Sequence, residues 1–252
     1  MNCAIMQPTF NPWVGYFDMI NSVDVFVFFD DVQLTKRSWQ VRNRIKTASG
    51  EQLVTLPIQK CGHRQQQLIM NARIIDNGWK EKLIKSLHVN YNKSRCFREV
   101  IGFVEELICY PSECLADYNI NLIETVARKI GIQTPFIRSS SLKGPRGSKD
   151  DRLASICVAI DADTYLAAAG SAAYIEKDSP GGAFPEKNIS LFYQNYRPVE
   201  YSQTNGAFIP SLGVFDLLLN EGFNSALKVI LAGHADNTSY LQYRQYMELQ
   251  GT

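Results

Sequence analysis

The sequence predicts an α/β protein on a parallel sheet, with an inserted or appended helical part. Three observations carry that reading. Cys3-Ala4-Ile5-Met6 and Val23-Asp24-Val25-Phe26-Val27-Phe28-Phe29 are short apolar runs, the second rich in β-branched and aromatic residues, as strands covered on both faces require. Trp13–Ile20 between them reads as a helix, so strand, loop, helix and strand follow one another as a βαβ unit. Helix-like and strand-like segments then keep alternating to the end of the chain.

In order, the first strand stops at Gln7-Pro8, because the residue before a proline leaves the helical region and proline gives no N–H. The second ends abruptly in Asp30-Asp31. Glu51–Ile58 and Gln67–Ile75 read as strands. Trp79–Tyr91 carries Leu83, Ile84, Leu87 and Tyr91 at helical spacing. Phe97–Leu107 and Ile120–Ile130 are further amphipathic helices, the latter closed by Gly131. Thr134–Arg138 predicts a strand, followed by a basic loop over Ser139–Lys149. Asp150–Ile160 is helical and Thr164–Leu166 a short strand. Ile189–Tyr193 reads as the last strand and Phe208–Asn220 as an apolar helix. The polar tail after His234 predicts an exposed helix. The organisation expected is an α/β segment over residues 1–75 with the main site, a helical part over 76–130, and a second α/β segment over 131–252, all compatible with one domain.

A chain of 252 residues, 45% hydrophobic and 20% charged, can bury a sizeable core. Its 26 basic and 25 acidic residues leave a net charge of +1, without the basic excess of a dedicated DNA binder. The six cysteines show no C-x-x-C spacing, which argues against zinc or thioredoxin-type chemistry. Together with the lack of a signal-peptide pattern, this predicts a cytoplasmic protein. No apolar stretch approaches the ~20 residues of a membrane helix.

In parallel sheets ligands sit at the carboxyl ends of the strands, and two of those ends are Gln7-Pro8 and Asp30-Asp31. From the second run Lys36, Arg37, Trp39, Arg42 and Asn43: basic groups suited to phosphate or carboxylate, beside an aromatic and an amide. A solvated loop laced with weak ion pairs is the competing reading. The first opens Gln7-Pro8-Thr9-Phe10-Asn11-Pro12-Trp13-Val14-Gly15-Tyr16, a loop fixed by prolines at a helix start, where backbone N–H groups favour an anion. The alternative is an aromatic turn packed on the sheet. The basic loop Lys143–Lys149, with Arg152, is either a flap over phosphates or plain surface, and the turn from Tyr165 through Gly170 to Tyr174 is the weakest candidate. Of the histidines, His63 and His234 read as surface residues; His88 is the one suited to acid–base work. No H-E-x-x-H, Walker, G-x-S-x-G or G-x-G-x-x-G motif occurs, and no metal site is indicated.

Gln7-Pro8-x-Phe10-x-Pro12-x-x-Gly15-Tyr16-Phe17, Asp24 with Asp30-Asp31-Val32-Gln33, and Lys36-Arg37-x-Trp39-x-x-Arg42-Asn43 together resemble the WbqC-like family. The agreement runs on through Leu56-Pro57-Ile58, Tyr91 with Lys93, Asp151-Arg152-Leu153, Tyr165, Gly170 and Phe208–Gly222. At 169–173 the sequence departs, lacking the second glycine and paired tyrosines expected there. The resemblance implies a bacterial protein of surface-polysaccharide and O-antigen biosynthesis that joins glycine, or a related acyl group, to the amine of a nucleotide-linked amino sugar. On that reading Asp30 or Asp31 anchors or deprotonates the amine, and Lys36, Arg37 and Arg42 meet phosphate or carboxylate. Gln7 and Asn43 orient the substrate, Tyr16 and Trp39 stack on it, and Lys149 with Arg152 closes the site. His88, Tyr91, Lys93 and Gly170 complete the set. The acyl group must arrive activated, so ATP, an acyl thioester or an aminoacyl-tRNA is implied.

The strand–loop–helix opening also resembles nucleotidylyltransferase-type and pantoate-ligase-type folds, which implies a Rossmann-like, HUP/nucleotidylyltransferase-like core. Their H-x-G-H motif corresponds to Trp13-Val14-Gly15-Tyr16, where only the glycine is kept. An ATP-dependent nucleotidyl transferase or ligase of another pathway, and a non-catalytic sugar-nucleotide-binding protein, are the alternatives.

Overall fold

A computed structural model describes residues 1–35, 37–60 and 67–250. Lys36 and His63 lie outside the described residues. The first strand, β1 (Asn2–Met6), is central in a six-stranded sheet. On one side β2 (Val25–Phe28) pairs with it, and β5 (Phe136–Arg138) pairs with β2. On the other side come β6 (Thr164–Ala167), β7 (Ser190–Tyr196) and β8 (His234–Ser239). All pairs are parallel except β7–β8. The chain runs outward from β1 to β5, then returns to start again at β6. A reversal of strand order therefore falls between β1 and β6, where a crevice opens at the carboxyl ends.

Successive strand residues face opposite sides, so unbroken apolar runs bury both faces. Ala4, Phe26, Phe28 and Leu166 join a cluster with α1 (Val14–Asn21), α2 (Trp79–Tyr91), α3 (Phe97–Cys109), α4 (Leu115–Lys129) and α7 (Val214–Ala232). The helical segment thus packs on the same apolar cluster as β1, β2 and α7. Cys3, Ile5, Val25, Val27, Tyr165 and Leu191 face α5 (Lys149–Ala159) and α6 (Ala172–Ile175) on the other side. The last helix, α8 (Tyr240–Gln250), follows β8. Among the described residues no helix is long and apolar enough to cross a membrane.

Four departures from the sequence reading have physical reasons. Arg42–Thr47, read as a charged site segment, is strand β3, paired antiparallel with β4 (Gly50–Thr55) in a separate hairpin. Its Asn43 and Ile45 are buried, an alternation masked by the basic residues between them. Gln67–Ile75 is an extended segment interrupted by a 3₁₀ turn at Ile69–Asn71, touching neighbours through single bridges such as Gln33 with Leu68. Its apolar residues fill the core without a ladder partner. Ile189–Tyr193 is not the last strand: His234-Ala235-Asp236-Asn237-Thr238-Ser239 adds an antiparallel edge, where one side faces water and apolar residues are not needed. Finally, the apolar helix begins at Val214, because residues 208–213 form the turn that meets the N-terminal loop.

Candidate functional site

The carboxyl ends of the strands carry two polar centres of opposite character. The first joins β2 to β5. Asp30 has no exposed surface. It accepts from Arg138 Nε at 2.7 Å, from the Ser140 N–H at 3.0 Å and from the Ser140 hydroxyl at 2.8 Å. Arg138 also donates to Asp117 at 2.6 Å. The Ser139 hydroxyl lies between the two carboxylates, 2.5 Å from Asp31 Oδ1 and 3.2 Å from Asp30 Oδ1, so its hydrogen goes to Asp31. Asp31, only partly buried, takes Arg152 Nη2 at 2.5 Å, while Arg152 Nη1 donates to the Pro145 carbonyl. This centre therefore gathers Asp30, Asp31 and Arg152, with exposed Lys149 at the start of α5. Every one of its carboxylates has a donor within the protein.

The second centre is the crevice. The loop after β1 is held by three distant segments. From α4, buried Asn119 donates to the Pro8 carbonyl at 3.0 Å and the Gln40 carbonyl at 2.8 Å. From β3, Asn43 Nδ2 reaches the Phe10 carbonyl at 3.2 Å and the Asn11 carbonyl at 2.7 Å. At the start of α7, the Phe215 N–H donates to Asn11 Oδ1 at 3.0 Å, and the Gly213 N–H to the Arg44 carbonyl at 3.1 Å. A Cβ on Gly213 would lie 2.0 Å from Asn11 Nδ2, so this junction requires glycine. This contact joins Ser211-Leu212-Gly213-Val214 to the N-terminal loop.

Between these segments lies a cleft of about 250 Å³ lined by residues such as Thr9, Trp13, Trp39, Asn43, Arg44 and Ser211. It shares Met6, Trp13 and Tyr16 with a further space of about 170 Å³ that reaches Gly170 after β6, and Gln194 and Tyr196 on β7. Trp13 meets Tyr196 edge to face at 5.4 Å, and its ring lies where a Cβ on Gly15 would be, 2.4 Å away. The close approach that Gly15 permits is thus that of Trp13. Arg44 is aimed by Glu51 at 2.7 Å and the Ser211 carbonyl at 3.0 Å, with its guanidinium 5.8 Å from the Trp39 ring centroid. Trp39 itself is 51% exposed, unusual for a tryptophan. Thr9 Oγ1, Arg44 Nε, Arg42 Nε and Gln40 Oε1 are buried atoms without a hydrogen-bond partner among the described residues. Such orphans call for a ligand or water.

At the β7 edge stand Asp18 and His234, of which His234 is expected from the sequence to be a surface residue. Asp18 on α1 is fully buried and accepts from Gln194 Nε2 at 2.7 Å; His234 Nδ1 lies 2.9 Å from its other oxygen. Gln194 also donates to the Gly15 carbonyl at 2.8 Å. His234 is the register partner of Tyr196, one strand beyond the crevice wall.

The sequence candidates therefore divide. Tyr16, Trp39, Asn43 and Gly170 line the crevice. Gln7 lies beneath it, its Oε1 accepting from Gln40 and its carbonyl from the Tyr16 hydroxyl at 3.1 Å. Burial raises the Tyr16 phenol well above its ordinary value, so it stays a neutral donor. Arg42 stands on β3 two residues before Arg44, and Arg37 is exposed with a φ of 55°. Tyr91 is buried elsewhere: its hydroxyl donates to Asp216 at 2.7 Å and accepts the Lys46 N–H at 2.7 Å. Tyr201 and Gln203 complete the shell around Asp216, whose carboxyl burial raises above its ordinary value. His88 faces Glu105 at 2.6 Å on the α2–α3 surface, and Lys93 is exposed after α2; neither lines the crevice. Arg44, Thr9, Ser211, Gln194 and Tyr196 were not singled out. Arg44 alone had a signal, as the fourth basic residue after Asp31.

Comparison with known proteins finds a family and a relative for this chain. The model of the WbqC-like protein family matches residues 7–227, from the crevice loop to α7. The chain belongs to that family. A relative, the uncharacterized protein Rv1507c of Mycobacterium tuberculosis, is 33% identical over 223 residues, covering 87% of this chain and 93% of its own. No solved structure matches.

Proposed function

We propose that this WbqC-like protein transfers a small acyl group, glycyl first among them, to the amine of a nucleotide-linked amino sugar in surface-polysaccharide biosynthesis. The chemistry is the one that family membership implies; the observation that carries its placement is the crevice with its orphaned polar atoms. Sugar rings present apolar faces that pack on aromatic rings, and Trp13 and Trp39 offer two. Arg44, on the same strand as Arg42, suits a carboxylate or hydroxyl of the sugar or acyl group. The strand order, with its reversal between β1 and β6, is that of dinucleotide-binding doubly wound sheets, and supports a Rossmann-like assignment.

Amide formation from a free carboxylate is uphill, so the acyl group arrives activated. At the place where nucleotidylyltransferases grip phosphate with histidines, this chain has Trp13, folded onto Gly15, and Tyr16, whose hydroxyl is spent on the Gln7 carbonyl. That favours a donor activated elsewhere, an acyl thioester or aminoacyl-tRNA, over adenylation in this site. The amine must lose a proton to attack. Asp30, whose oxygens are already taken, is not free to accept it.

The test is a mass-spectrometric assay of purified protein with nucleotide-linked amino sugars. Glycine plus ATP, glycyl-tRNA and glycyl or acyl thioesters serve as separate donors. A product heavier by one acyl unit with one donor supports the proposal. Bound sugar nucleotide without product from any donor refutes it and leaves a binding protein.

A further inference from the structure

Beyond the crevice, on the same edge of the sheet, a recess of about 410 Å³ is lined by Tyr193, Asn195, Arg197, Thr238, Tyr243 and Tyr246. Ala169 and Gln194 line both spaces, so recess and crevice adjoin across the end of β6. The walls are aromatic: the rings of Tyr193 and Tyr243 lie 5.2 Å apart, and Tyr246 is 57% exposed. Tyr193 is buried, its hydroxyl tied to Glu176 at 2.5 Å and its ring packed on Tyr243, so Tyr243 and Tyr246 carry the available aromatic surface. Arg244 is neutralised by the same Glu176 at 2.9 Å. Arg197, by contrast, is exposed at the end of β7 with no ion pair to its guanidinium among the described residues. The recess thus combines stacking faces, one uncompensated cation and two small polar groups, Asn195 and Thr238.

We infer that this recess is the subsite for the nucleoside diphosphate half of the substrate, with the sugar reaching back into the crevice. Bases stack on aromatic side chains whatever their sequence identity, and a guanidinium matches a phosphate with two donors. The span agrees. β1 and β7 are separated only by β6, and two interstrand spacings are about 10 Å, the reach of a diphosphate with its sugar. Asn195 and Thr238 supply donor and acceptor groups for the edge of a base or ribose. The inference rests on the proposal that the substrate is nucleotide-linked, and it adds where the nucleotide lies.

Calorimetric titration of the full chain with UDP, GDP and dTDP, and with the corresponding nucleotide-linked amino sugars, tests it. At least one nucleoside diphosphate is expected to bind. Arg197→Ala and Tyr246→Ala should each weaken it tenfold or more while the melting temperature holds. Arg44→Ala should weaken the amino-sugar conjugate but leave the bare diphosphate within about twofold. Binding unchanged in both recess variants overturns this subsite and leaves the nucleotide-sugar proposal standing. Conjugates that bind while no bare diphosphate does also overturn it. Failure of every conjugate and diphosphate to bind wild type overturns the nucleotide-sugar proposal itself, and the subsite with it.

Discussion

The Asp30–Asp31 centre and the crevice sit on one edge of one sheet, yet they differ in what their polar groups have left to do. Around Asp30 and Asp31 the protein supplies donors from Arg138, Ser139, Ser140 and Arg152, and Asp30 is fully sealed from water. In the crevice Thr9 Oγ1 and Arg44 Nε have no partner among the described residues, and a tryptophan stands half in solvent. Charge density in a sequence marks both kinds of place. The accounting of partners separates them: a satisfied centre clamps strand ends together, whereas an unsatisfied one is waiting for something. Arg44 shows that the two can share a device, since ion pairing with Glu51 aims its guanidinium without using it up.

The strongest blow to this contrast would be an Asp30 that proves dispensable to the fold. Removing one partner of a buried ion pair leaves the other uncompensated, which costs about 3–5 kcal/mol. Arg138 is partly exposed and keeps Asp117, so Asp30→Ala should fall at or below the lower figure, read as a shift in the urea midpoint. On the crevice side, Arg44→Ala is expected to weaken the sugar nucleotide at least tenfold, about 1.4 kcal/mol, in a calorimetric titration. Its own stability should change by less than about 0.5 kcal/mol, because its ion pair is half-exposed. A smaller effect is expected of Gly15→Ala. The added methyl must displace the Trp13 ring toward the crevice, and binding should weaken severalfold with Trp13 fluorescence altered.

The Asp216 shell is a second satisfied centre and sharpens the comparison through pH. Burial raises the Asp216 carboxyl above its ordinary value, so the folded chain holds that proton more tightly than the unfolded chain. This group's contribution to stability is complete below the unfolded value, near about 4, and declines as pH rises toward the raised one. Asp216→Asn lacks the term. Its stability deficit against wild type should therefore be largest near pH 4 and shrink toward neutrality, measured by urea melts across that range.

How much of this was legible in the sequence depended on whether the signal was local. β1, β2 and the helices between 79 and 130 showed because their apolar spacing is set by each segment's own burial. β3 and β8 did not, since hairpin and edge strands face water on one side and carry polar residues there. The crevice loop, Trp39, Asn43 and Gly170 stood out as motif residues. Arg44's significance needed its neighbours Ser211 and Trp39 in space. His234 read as surface because its carboxylate, Asp18, lies 216 residues away. The carboxylates at 30 and 31 drew attention by density, and only their hydrogen-bond partners reveal how they are employed.

The most direct test of the contrast is a crystal structure of the protein with a nucleotide-linked amino sugar bound. The account predicts the sugar in the crevice, against Trp13 and Trp39 with Arg44 on its hydroxyl or carboxyl groups, and the Asp31–Arg152 pair unbroken. A sugar seated on Asp31 and Arg152, with that pair opened and the crevice empty, would contradict it.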